Sequence, residues 1–87
     1  MRASEVIGAR VTDHSGRQLG RVTDLLIDDS VPRNVCYALV DIHQGSGAVQ
    51  HIVAVPWSLV EPGGKARQLV LGVSREALRR LRRVHRN

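Results

Sequence analysis

Between residues 35 and 43 the chain alternates. Cys36, Ala38, Val40 and Ile42 fall on one side of an extended backbone and are all apolar, whereas Val35, Tyr37, Leu39, Asp41 and His43 fall on the other and are mixed. A two-residue period is the mark of a strand with one buried face. A strand is therefore predicted over about 35–43, with the first set pointing inward. Other segments follow the same logic less cleanly. A first strand is expected at about 8–13, entered through Glu5-Val6-Ile7-Gly8. A second is expected at about 20–28 with Val22, Leu25, Leu26 and Ile27, and a fourth at about 49–55, stopped by Pro56. A fifth, at about 67–73, has Leu69, Leu71 and Val73 on one face. Turn-forming residues separate them: Asp13-His14-Ser15-Gly16, where Gly16 is free to take positive φ, then Asp28 to Asn34, Gln44 to Ala48, and Glu61 to Lys65. Trp57-Ser58-Leu59-Val60 reads as a short helical turn. Beyond Ser74, a good N-cap, Ala77, Leu78, Leu81 and Val84 recur at helical spacing. The whole reads as a mainly β protein. It is expected to be a small β-barrel or rolled sheet of about five or six strands with a C-terminal α-helix.

Length and charge sharpen this picture. Eighty-seven residues suffice for one domain. Of 13 bases and 8 acids, six arginines and one acid fall in residues 75–87. These account for the whole net charge of +5 and leave the rest of the chain balanced. The expected organisation is a body over 1–74 and a basic helix or tail over 75–87. No apolar run reaches the length of a membrane span, and Arg2 is followed at once by polar residues without a leader-like apolar stretch. The expected location is the cytoplasm. The single cysteine permits no internal disulfide.

The ordered set Val6-Ile7-Gly8, Asp13-x-x-Gly16-x-x-Leu19-Gly20-x-Val22-x-Asp24 and Leu26-Ile27-Asp28 resembles the opening of a PRC-barrel domain. Tyr37-Ala38-Leu39-Val40, Val55-Pro56-Trp57-Ser58 and Val73-Ser74-Arg75-Glu76-x-Leu78 are similar to the family's middle and end. The family includes the cytoplasmic part of the photosynthetic reaction-centre H subunit and the C-terminal domain of a ribosome maturation factor. The resemblance implies a compact β-barrel that works through protein contacts, with no catalytic residues to carry over. With no membrane-span pattern and no second-domain pattern in these 87 residues, neither an H-subunit role nor a maturation-factor role is expected, and the Arg-rich extension is not part of the family pattern.

Candidate chemistry is sparse. Asp13, Asp24, Asp28, Asp29 and Asp41 lack the regular spacing of a calcium loop. Asp13, Asp28 and Asp29 sit in turns, and Asp24 is expected to bond backbone or Arg21. His43 and His51 flank one loop, and with Asp41 they form the best transition-metal candidate; the simpler reading is two exposed histidines at strand ends. Cys36 shares the parity of the core positions, where it acts as a small hydrophobe rather than a nucleophile. No enzyme and no cofactor are expected. Trp57, after Pro56, is expected to plug one end of the barrel.

Two features point to partners. Val35, Tyr37 and Leu39 lie on the face of the third strand away from the core and need cover. Either the helix packs its Ala77/Leu81/Val84 stripe on them or a second subunit does, and a homodimer is favoured. Arg75, Arg79, Arg82 and Arg86 form a stripe flanked by Arg80 and Arg83. Arginine forks suit phosphate, so RNA is an alternative partner beside an unidentified protein. With only 2% aromatic residues, few side chains can stack on bases, which weakens the RNA case. A membrane surface is not expected, because the apolar stripe has no large anchors. A solvated terminus is the simplest account of the tail, and removal of everything after Ser74 is expected to leave the body folded.

Overall fold

A computed structural model describes residues 2–28, 35–42, 51–73, 76–77 and 80–81, with the side chains of Asp28 and Val35 outside that description. The elements in chain order are the one-turn helix α1 (Ala3–Val6), β1 (Arg10–Thr12), β2 (Gln18–Asp28), β3 (Val35–Ile42), β4 (His51–Pro56), a 3-10 turn at Trp57–Leu59, β5 (Val60–Pro62) and β6 (Gln68–Leu71). The mainly β expectation holds, and the helical turn after Pro56 is where the sequence placed it. Two elements are additional. Helix α1 is too short to show a period, and β5 takes Val60 from the expected helical turn and Glu61-Pro62 from the expected turn after it.

The strands form one sheet in the order β4-β3-β2-β1-β6-β5. All neighbours are antiparallel except β1 and β6, which run parallel. The two outermost strands, β4 and β5, are joined by only the three residues of the 3-10 turn. In a flat six-stranded sheet the outer strands would stand about 24 Å apart, at roughly 4.8 Å per spacing. A 3-10 segment rises only about 2 Å per residue. The sheet must therefore curl until its edges approach, which produces an open half-barrel.

The concave side holds the core. Val6, Ala9, Val11, Leu19, Val22, Ala38, Val40, Ile42, Val53, Val55, Leu69 and Leu71 form one buried cluster. Ala38, Val40 and Ile42 lie there as the alternation requires, and Cys36 is half-buried at the end of the row. Leu25, Trp57, Val60, Val73 and Leu81 pack against the cluster from its rim, so Trp57 sits close to its expected place.

Strand β2 changes face midway. Val22 pairs with Val40 on the core side, and an irregularity between Val22 and Asp24 then inserts one residue, so Leu25 pairs with Ala38 on the same side. A bulge of this kind resets the alternation. It explains how Val22 and Leu25, three apart, both reach the core, and it turns Leu26 outward.

The expected C-terminal α-helix falls mostly outside the described residues. Within it, Arg80 N–H donates to Ala77 O at 3.1 Å. Ala77 and Arg80 are exposed, and Leu81 is half-buried against the core cluster. Leu81 thus covers the open rim of the sheet, not the Tyr37/Leu39 face. A cut after Ser74 would remove this core contact along with the arginines.

Candidate functional site

The face of β3 away from the core is built by register. Tyr37 lies between Leu26 of β2 and Pro56 of β4, and Leu39 lies between Asp24 and Ala54. Asp41 lies between Arg21 and Ile52. The result is an apolar patch of Leu26, Tyr37, Leu39, Ile52, Ala54 and Pro56. Tyr37, Leu39 and Ile52 are half-buried, whereas Ala54 is only 6% exposed although it stands outside the core cluster. Val35 opens the same strand opposite Asp28.

The patch reaches free surface along β2. Leu26, opposite Tyr37, is 44% exposed and continues the patch, whereas Ile27, opposite Cys36 on the core-facing side, is 65% exposed; these are the two highest values among the exposed large hydrophobic residues described. Strand β1 pairs with β2 only through Arg21, and the ladder ends where Val22 exchanges hydrogen bonds with the main chain of Gly8 and Ala9. Beyond that point the β2–β3 pair extends past β1 and carries Leu26 and Ile27 with it. The sequence held a signal for this. Leu25-Leu26-Ile27 are three apolar residues in a row, and in an extended strand consecutive side chains cannot share one face.

The metal candidate is corrected by register. His51 pairs with Ile42, a core-facing position, and Asp41 pairs with Ile52 on the opposite face. Asp41 and His51 therefore stand on opposite sides of the sheet and cannot ligate one ion. His43 lies outside the described residues, and among those residues no three His, Cys, Asp or Glu side chains converge. Asp41 instead keeps a buried Oδ1 without a hydrogen-bond partner. Arg21, directly across from it, turns away and donates to Gly8 O at 3.4 Å. Of the two partners expected for Asp24, the backbone is the one found: its Oδ1 accepts from Leu25 N–H at 2.8 Å.

Asp13 organises the β1–β2 turn. Its Oδ1 accepts from the Ser15 hydroxyl at 2.6 Å, from Ser15 N–H at 2.9 Å and from Arg17 N–H at 2.9 Å. Gly16 completes the turn at φ 87°. The Ser15 hydroxyl foremost, then the Arg17 amide, hold the Asp13 carboxyl below its ordinary value of 3.8. The folded value lies below the unfolded one. The turn's stabilisation is therefore complete above the ordinary aspartate range and is lost as pH falls through the depressed folded value. In an acid titration followed by NMR, the Ser15 and Arg17 amides should move together with a midpoint below 3.8. A midpoint at or above that value would show that the hydrogen bonds do not favour the carboxylate.

Among the six tail arginines only Arg80 is described, and it is exposed. Arg75, Arg79, Arg82, Arg83 and Arg86 lie outside the described residues. No helix among the described residues is long and apolar enough to cross a membrane.

A curled six-stranded sheet, a core on its concave side and an apolar outer face define a small half-barrel β module. The sequence profile of the PRC-barrel domain matches residues 1–75, and the chain belongs to the PRC-barrel family. No curated protein matches the chain significantly.

Proposed function

We propose that the chain is a non-catalytic protein-interaction module that pairs with a second copy of itself and presents the pair to another protein. One observation carries this reading. The outer end of β2 exposes Leu26, opposite Tyr37 on the outer face, and Ile27, opposite Cys36 on the other face, so large aliphatic surface stands open on both sides of that end. Apolar surface concentrated at one end of a sheet gains free energy when covered. A second copy would bring the same surface, as a two-fold interface requires.

Light scattering coupled to size-exclusion chromatography tests it. At high micromolar concentration the chain should run at twice its 9.6 kDa mass. The double variant L26E/I27E should run as a folded monomer, with the dissociation constant raised by about a hundredfold or more, the scale of losing one interface hot spot. A wild-type monomer would end the dimer reading. Salt-sensitive binding of cellular RNA, lost when Arg79, Arg82, Arg83 and Arg86 are replaced by glutamine, would put an RNA-associated module in its place. Substitution is the right tool there, because truncation also removes Leu81.

A further inference from the structure

The body of the chain is neutral in sum, but its cations are not spread evenly. Arg10, the exposed first residue of β1, stands directly opposite Arg21 on β2 and Gln68 on β6. Like charges facing each other across adjacent strands are unfavourable. Arg21 and Arg67 each spend a donor on the end of α1: Arg21 Nη1 donates to Gly8 O at 3.4 Å and Arg67 Nη2 to Ile7 O at 3.0 Å. Arg10 has no side-chain partner among the described residues, where the one ion pair is His14–Glu61.

Arg10 and Arg67, but not Arg21, border a groove of about 270 Å³ between the β1–β2 turn and the loop that leads into β6. Arg10, Lys65 and Arg67 supply charge, and Thr12, Gln18 and Gln68 supply neutral hydrogen-bonding groups. Gly16 and Ala66 complete the lining, and no carboxylate takes part. Gln68 Nε2 donates to the buried Thr12 hydroxyl at 3.3 Å, which fixes the floor. Arg67 holds the wall in a left-handed conformation at φ 57°, unusual for a residue with a side chain. Its main chain is tied down there, because its carbonyl accepts from Arg10 N–H at 2.9 Å.

We propose that this groove binds a phosphate group carried by a small organic molecule. Three cations around one recess match a dianion, and arginine's planar fork pairs two phosphate oxygens at once. The recess is large enough for a phosphate and a small body attached to it. Binding would also relieve the Arg10–Arg21 repulsion. The site is separate from the Leu26/Ile27 surface and does not rest on self-association.

The test is an NMR titration of the full chain with ribose 5-phosphate, inorganic phosphate and ribose, at ionic strength held constant with chloride. Ribose 5-phosphate should give saturable amide shifts centred on Thr12, Gln18 and Lys65–Gln68, and ribose none. The variant R10Q/K65Q, which leaves the Arg67 contacts intact, should keep its fold and lose affinity by about tenfold or more. Equal affinity for inorganic phosphate would assign the site to the free anion and overturn the organic part of the proposal. Absence of saturation, unchanged affinity in R10Q/K65Q, or shifts confined to residues 75–87 would overturn it entirely.

Discussion

Replacing Gly20 with alanine is expected to cost the fold about 3 kcal/mol, at the upper end of overpacking effects. Gly20 pairs with Ile42 across β2 and β3. A Cβ there would overlap the carbonyl oxygen of Asp41, with the Asp41 carbonyl carbon at 2.9 Å and Ile42 Cα at 3.2 Å. All three atoms are backbone, so no rotamer change relieves the clash. The strands would have to separate beside Leu19 and Val22, both in the core. A domain of this length has a total stability of about 4–13 kcal/mol, so the loss is a large share of it. Urea unfolding of G20A and of G64A measures it. Gly64 has open space around its Cβ position and no positive φ, so G64A should change stability little. A G20A midpoint equal to that of G64A would show that β2 and β3 can move apart at no cost.

Leu71→Ala should be comparably severe, at about 2–5 kcal/mol, the range for emptying a buried leucine site. Leu71 is 1% exposed and among the largest fully buried side chains. It sits at the end of β6, opposite Val60 of β5, on the strand that links β5 to β1. Pairing with β5 at Leu71 itself, and with β1 up to Val70, limits how far the backbone can collapse into the cavity. At about 4–8 °C per kcal/mol for a domain of this size, the melting temperature should fall by about 8 °C or more. Leu71→Met, which conserves volume, should lose less than about 1.5 kcal/mol. Leu59→Ala, at a site 37% exposed, is the surface control. If L71A and L59A melted together, Leu71 would not be a core residue in solution.

The candidate site was legible only in part. Tyr37 and Leu39 were found because β3 alternates without interruption over eight residues. Leu26 and Ile27 were missed as surface residues. A bulge inside β2 reverses the alternation, and an apolar triplet does not say which member will point outward. Asp41 and His51 looked like neighbours of one loop, but a pairing register one residue different moves a side chain to the other face. The burial of Ala54 away from the core, and the groove around Arg10, had no local pattern at all.

Local chemistry determined the strands, their turns and the inward row Ala38, Val40 and Ile42, because periodicity and turn residues act over a few positions along the chain. The family resemblance, carried by spaced motifs from Val6 to Leu78, was equally open to reading. Only the tertiary structure decided that β1 pairs in parallel with β6 and that the 3-10 turn at Trp57–Leu59 draws the sheet into a half-barrel. It alone decided that Leu81 covers the rim and that Arg10 meets Lys65 and Arg67 around one groove. The β1–β6 pairing and the groove join residues more than fifty positions apart. They follow from how a curled sheet closes over its core, which no short stretch of sequence encodes.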